Sequence, residues 1–340
     1  MEKGIKSSKY LNSEIASFHT MQIIKKDLSK LKKVFKVFIF FNFCIFSFIF
    51  IWNRKTIKNL YNYQNIKTQI ENEVDSNDKK CITVKSKLNQ REHPFEFINE
   101  FHFFIDLIEC KIPFSFIRFG DGENFIMKGK ALIAALDKWF WEPKNKKFQD
   151  SLIESSSICT KPNNFIGIPC KNWITVSESI LSFSKCSSAK YMSFATLFIN
   201  RNYHLFKDWI IDFINSSNRW KIILIANSII NKNITWAYKF FPIPDHFIEN
   251  WDNYTISLLP KLSSQAKQNN LIFFVSAGPA ANVIISYLTK INNNNIYIDF
   301  GSSIEFITKG YTTRRYAKNG ETAFYSCEPF LINNKSVIYI

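Results

Sequence analysis

The sequence predicts an α/β protein: a Rossmann-like, mostly parallel sheet with helices on both faces, preceded by a transmembrane helix and a stem. Three observations predict it. From about residue 93 onward, short runs of Ile, Val and Phe alternate with longer stretches of helical periodicity, the signature of strand–helix–strand units. Two of those runs end in small-residue turns, at Gly120-Asp121-Gly122 and at Ser276-Ala277-Gly278-Pro279. Near the N-terminus, Val34 to Trp52 is apolar on every side. The chain therefore divides into a tail at 1–33, an anchor at 34–52, a stem at 53–92 and a folded domain at 93–340.

The tail is polar and dotted with lysine, up to Lys32-Lys33. In the anchor, the uninterrupted apolar part from Val37 to Trp52 is a little short of the ~20 residues that span a bilayer. Lys36 can extend its stem to one interface, and Trp52 suits the other. No small-residue cleavage site follows, which argues against a removed signal peptide. More positive charge precedes the segment than follows it, so a cytoplasmic N-terminus is expected, the single-pass type II arrangement. The domain would then face the Golgi or ER lumen in a eukaryotic cell. The stem is rich in Asn, Lys, Gln and Glu and has no sustained apolar face.

Within the domain, apolar residues at helical spacing predict a helix over His93–Cys110, leading into a buried strand that ends at Arg118. Glu123–Gly129 reads as a helix or turn, and Lys138-Trp139-Phe140-Trp141-Glu142-Pro143 as a loop. Strands are expected at Phe165–Pro169, Tyr191–Ala195, Trp220–Asn227, Leu271–Val275 and, last, Ile296–Asp299. Helices are expected at Thr175–Phe183, Tyr203–Ile214, Leu258–Lys267 and Gly278–Lys290.

The net charge of +16 and a pI near 9.4 suit anionic partners such as nucleotides, phosphates or membrane headgroups. Nucleic acid is not an expected partner, because no zinc-finger, helix-turn-helix or aromatic RNA-binding signature is present. The bias toward Phe, Ile, Asn and Lys has the look of an AT-rich coding sequence. The sequons at Asn215, Asn233, Asn253 and Asn334 therefore say little about compartment. Seven cysteines occur without a Cys-x-x-Cys pair, which disfavours zinc and leaves room for one or two disulfides if the domain is lumenal.

Chemistry concentrates at the ends of the predicted strands. Asp121 and Glu123, two apart on a turn, can converge on one cation, and all-oxygen ligation suits Mg2+ or Mn2+. Gly120 and Gly122 give that turn its freedom. Arg118 either pairs with a phosphate or holds a carboxylate in place. The same residues also make an ordinary strand-ending turn with a salt-bridge partner. Ser276, Gly278 and Pro279 would let the backbone approach a diphosphate at a helix start. No Gly-x-Gly-x-x-Gly or Walker-type Gly-x-x-x-x-Gly-Lys is present, so dinucleotide redox and P-loop chemistry are not supported. Candidate bases are Asp299, at the end of the last strand, and Asp245 and His246, in the loop after Pro242-Ile243-Pro244. Asp299 could equally bind a ribose or cap a turn. Trp139 and Trp141 could stack on a sugar or base, or belong to the core. Lys309, Arg314 and Arg315 could neutralise phosphate or be solvated charge.

The run Ser115-Phe116-Ile117-Arg118-Phe119-Gly120-Asp121-Gly122-Glu123 resembles the signature of the GT-D type glycosyltransferases, in which an Asp-x-Glu motif binds the metal of a nucleotide sugar. Val275-Ser276-Ala277-Gly278-Pro279-Ala280-Ala281 and Ile298-Asp299-Phe300-Gly301-Ser302 are similar to that family's Ala-Gly-Pro and Asp-x-Gly segments. The resemblance extends from about Glu92 to about Arg315. It implies a membrane-anchored hexosyltransferase that moves a sugar from a nucleoside diphosphate sugar, a UDP-sugar foremost, to a glycan or glycoprotein acceptor. It also implies Mn2+ or Mg2+ on Asp121 and Glu123. The type II layout is one that many Golgi glycosyltransferases share. Two other classes fit the residues: a non-catalytic nucleotide- or sugar-binding membrane protein, and another Rossmann-like transferase such as a methyltransferase.

Overall fold

The computed structural model describes residues 78–134, 139–170, 174–186, 188–216, 220–228, 234–312, 314–317, 329–332 and 336–339. The expected tail, anchor and most of the stem lie outside them; among the described residues, no helix is long and apolar enough to cross a membrane. The folded unit runs from Ser76 to the C-terminus. It begins with helix α1 (78–90), whose Val84 and Leu88 are buried. Residues 78–92 are thus part of the domain rather than stem. Arg91 makes the reason plain. Its guanidinium is fully buried against Glu100, with both N···O contacts at 2.7 Å, and it also donates to the carbonyls of Lys190 and Met192. A disulfide between Cys81 and Cys110 ties α1 to the end of the next helix.

That helix, α2 (Phe97–Glu109), feeds strand β1 (Phe114–Arg118) and the short helix α3 (Asp121–Met127). A hairpin of β2 (Leu132–Ala134) and β3 (Trp139–Trp141) follows, then α4 (Lys146–Ser155), β4 (Asn164–Ile168), α5 (Ile174–Phe183) and β5 (Met192–Phe194). The second half holds α6 (Tyr203–Asn215), β6 (Lys221–Asn227), β7 (Lys239–Ile243), α7 (Trp251–Ala266), β8 (Leu271–Ser276), α8 (Ala280–Ile291) and β9 (Ile296–Asp299). Last come α9 (Glu305–Thr308) and a small antiparallel pair, β10 (Pro329–Ile332) and β11 (Ser336–Tyr339).

Seven strands form one sheet in the order β5-β4-β1-β9-β8-β6-β7, and every pairing is parallel. Parallel strands covered on both faces must be apolar throughout. Accordingly Phe114, Phe116, Ile296 and Ile298 pack on one side with α1, α2 and α6, while Ile117, Tyr297 and Val275 pack on the other with α4, α7 and α8. Cys159 and Cys186 form a second disulfide, on the latter side. The chain builds outward from β1 through β4 to β5, then crosses over and returns inward to β9. The order therefore reverses between β1 and β9, where an open parallel sheet leaves a crevice at its carboxyl edge.

The sequence placed six of the seven sheet strands; it missed the edge strand β7, helix α4 and three further features. The Lys138–Pro143 stretch is not a loop, since Trp139–Trp141 pairs with Leu132–Ala134. The helix expected at Leu258 begins at Trp251 and carries Pro260 inside it. Beyond Asp299 the chain forms one further strand pair.

Candidate functional site

The two strands at the reversal end in opposite charges. Arg118, the last residue of β1, turns its guanidinium onto Asp299, the last residue of β9. Nε lies 3.2 Å from Oδ2 and a terminal nitrogen 3.4 Å from Oδ1. The other terminal nitrogen donates to the carbonyl of Ala195 at 3.2 Å. Asp299 Oδ1 also accepts the backbone N–H of Gly301 at 2.8 Å. Gly301 has φ +51°, and a methyl group there would come within 1.8 Å of an Arg118 nitrogen. Only glycine both adopts that backbone and clears the guanidinium. Arg118 and the Asp299-Phe300-Gly301 segment are thus one device, although 181 residues separate the ion-paired pair. Of the two roles expected for Arg118, the structure shows the carboxylate-holding one. Asp299 is 4% exposed, and burial raises its pKa while Arg118 opposes the rise. A carboxylate so occupied is poorly placed to act as a base. Its position is that of a brace.

The Gly120-Asp121-Gly122 turn is in fact the start of α3, with Gly120 as its cap. Glu123 folds back so that Oε2 accepts the Gly120 N–H at 2.8 Å, the reciprocal half of a capping box. Asp121 is exposed, and its Oδ1 accepts the N–H of Gly122. On a helix, residues two apart point ~200° away from each other, so the spacing alone does not bring the carboxylates together. They nevertheless border the same space: both line two adjoining cavities, one of 580 Å³ and one of 520 Å³. Glu123 keeps some solvent contact as a residue, but its carboxylate is removed from water. This burial, with Asp299 adding repulsion, pushes its pKa up to about 7 against the pull of the Gly120 N–H and Arg118.

The larger cavity is bounded by Phe119, Pro169, Ala195 and Ile199, with Thr196 and Asn200 as polar points, and is mainly apolar. The smaller is the more polar of the two, with about as much polar as apolar lining. The loop from Ser276 to Pro279, Asp245 and His246, and the residues after Gly301 close it. Arg118, Asp121, Glu123 and Gly278 belong to both walls. Gly278 has φ +54° and lies against Trp139, whose Nε1 would be 3.2 Å from any added methyl. Trp139 therefore does border the polar cavity, whereas Trp141 is 1% exposed and belongs to the core. Asp245 Oδ1 accepts from Asn227 at 2.7 Å, and His246 Nδ1 lies 2.9 Å from Glu249 Oε1. Every residue expected at the site lies on one of these two walls except Trp141, in the core, and Arg315, which is exposed and lines neither.

Several residues of the site escaped sequence reasoning. Asn282, fully buried on α8, donates to the Arg118 carbonyl at 2.7 Å and so fixes the end of β1. Its signal was an amide near the start of a mostly apolar helix. Glu305, 9% exposed, accepts from Lys309 at 3.0 Å and from Thr312 at 3.2 Å. Nothing in its sequence neighbourhood distinguishes it.

Among the described residues no group of three or more His, Cys, Asp or Glu is arranged to hold a metal ion. Mg2+ and Mn2+ are commonly held by one or two carboxylates completed by substrate phosphate oxygens and water. Asp121 and Glu123, which border the same two cavities, fit that half-site.

The structure is that of an α/β protein with two adjoining cavities at the carboxyl edge of a parallel sheet. No protein-family model matches the chain, and no curated protein matches it. Two solved structures are similar to it. One is described as showing that the highly conserved domain of unknown function 1792 has a distinct glycosyltransferase fold; it is 17% identical with a TM-score of 0.43. The other is a selenomethionine-substituted structure of domain of unknown function 1792, 18% identical with a TM-score of 0.42. Each comparison covers 67% of this chain and 85% of the other. Likeness at this level transfers no ligand, activity or residue role.

Proposed function

We propose that the protein is a metal-dependent glycosyltransferase that takes its sugar from a nucleoside diphosphate donor, a UDP-sugar foremost, and passes it to a glycan or glycoprotein hydroxyl. One observation supports this above the others: Asp121 and Glu123 stand on the shared wall of a polar and an apolar cavity, beside the braced cation Arg118. Two substrates can approach such a wall from opposite sides. Mn2+ or Mg2+ on the two carboxylates would supply Lewis-acid neutralisation of the leaving diphosphate.

The chain's own residues carry the remaining tasks. Asp299 holds the Arg118 guanidinium on the wall, so that its positive charge is fixed before substrate arrives. Gly278 keeps the loop before α8 close to Trp139 and free of side chain, giving a diphosphate access to the backbone. Asp245 is the better placed acceptor of a hydroxyl proton, because it lines the polar cavity with Asp121 and Asn227 orients it. His246 is its alternate. The disulfides Cys81–Cys110 and Cys159–Cys186 favour an oxidising compartment, in keeping with a lumenal domain on a type II single-pass anchor.

The test is release of nucleoside diphosphate from UDP- and GDP-sugars by the wild type, Asp121→Asn and Asp245→Asn. Activity in the wild type that Asp121→Asn abolishes and added Mn2+ restores only in the wild type supports the reading. Equal rates in all three proteins would remove it.

A further inference from the structure

The polar cavity is lined by the acidic residues Asp121, Glu123 and Asp245 and also by basic residues from the chain just after β9. There Glu305, almost buried, gathers two cations: Lys309 Nζ at 3.0 Å from Oε1 and Arg314 Nε at 3.7 Å from Oε2. Both line the cavity, and both side chains are about one-quarter exposed, so they face it rather than open solvent. Glu305 thus presents two cationic side chains to the cavity. Between them in sequence, Tyr311 also lines the cavity, and it is 61% exposed although it is a large aromatic residue.

Resting on the donor reading above, the geometry points to Lys309 and Arg314 as the clamp for the donor's diphosphate, with Tyr311 as the platform for its base. The chemistry has three parts. Glu305 holds the two cations apart and oriented in the empty state, so little side-chain entropy is lost when an anion arrives. The diphosphate then lies between the two cations and the carboxylates that would hold a divalent cation, which is the charge order such a ligand needs. An exposed ring in the cavity lining offers a nucleobase a stacking surface. The arrangement also puts the nucleotide in the polar cavity, with the 580 Å³ apolar cavity across Arg118. Arg315 has no part in it.

Calorimetric titration of the full-length protein with inorganic pyrophosphate and with UDP, in the presence of Mn2+, tests the clamp. Lys309→Gln and Arg314→Gln should each weaken both ligands about tenfold, as loss of a charge-assisted bond does. Tyr311→Ala should weaken UDP about fivefold and leave pyrophosphate unchanged. Arg315→Gln should bind both as the wild type does. If Arg314→Gln loses its cooperative melt, Lys309→Gln and the fully tolerable Tyr311→Ala still decide. UDP binding that survives both charge substitutions unchanged would overturn the clamp while leaving the donor reading in place. Pyrophosphate binding through the clamp without any UDP binding would overturn the donor reading and the role of Tyr311. Failure of the wild type to bind either ligand would overturn both.

Discussion

Glu123→Gln separates the charge of the site from its architecture. The native carboxylate accepts the Gly120 N–H, and a glutamine carbonyl accepts the same bond, so the cap of α3 survives the change. What the change removes is a buried negative charge beside Asp299. Burial moves the Glu123 pKa from an ordinary 4.5 to about 7, so the native state retains a proton that the unfolded chain gives up. The sign follows. Stability associated with the protonated form is fully present below about pH 4.5, declines between about pH 4.5 and 7, and is gone above. At 1.36 kcal/mol per pH unit, that shift corresponds to at most about 3 kcal/mol. Glutamine imitates the protonated acid at every pH. In metal-free buffer, denaturant titration should find the variant and wild type equally stable near pH 4 and the variant more stable at pH 8 by up to about 3 kcal/mol. Catalysis should fall in the same variant. A variant less stable than wild type at pH 8, or a difference that does not change with pH, would refute the reasoning.

Gly301→Ala forces a methyl group against Arg118 at a positive φ, and should cost about 2 kcal/mol while displacing the guanidinium from Asp299. Donor turnover should then fall with little change in the far-ultraviolet circular dichroism spectrum. Glu100→Ala leaves the fully buried Arg91 without its carboxylate and should cost about 3–5 kcal/mol in urea unfolding, with Glu100→Ala/Arg91→Met recovering part of the loss. Cys81→Ser opens a loop of 29 residues that anchors α1, and should lower stability by about 3 kcal/mol, a loss that reduction of the wild type reproduces in part.

The parallel sheet was legible because its strands are buried on both faces, which leaves uninterrupted apolar runs such as Leu271–Val275 and Ile222–Ala226. The hairpin at Trp139 was not legible. Three residues are too few to establish a period, and tryptophans 139 and 141 read equally as loop or core. Pro260 obscured the first half of α7, because a proline inside a helix is read as its beginning. At the site, the residues brought by strand ends could be named in advance: Arg118, Asp121, Glu123, Gly278 and Asp299 all follow apolar runs. Their partnership could not. Nothing local in the sequence pairs Arg118 with Asp299 across 181 residues, and the reason for Gly301 appears only when the guanidinium is in place. Glu305 and Asn282 act through buried contacts made in the folded state. A glutamate and an asparagine without such contacts look the same in the chain.

The central claim is that one site takes a nucleoside diphosphate and a divalent cation together. Thermal unfolding of the full-length protein with UDP or GDP, each with and without Mn2+, tests it most directly, because a ligand held only by the folded state raises the melting temperature. At a hundredfold excess over Kd, the expected stabilisation is about 2.7 kcal/mol. The account predicts a rise with nucleotide and Mn2+ together that is much larger than with either alone, and its disappearance in Asp121→Asn. An unchanged melting temperature under all conditions, or an equal rise in Asp121→Asn, would contradict it.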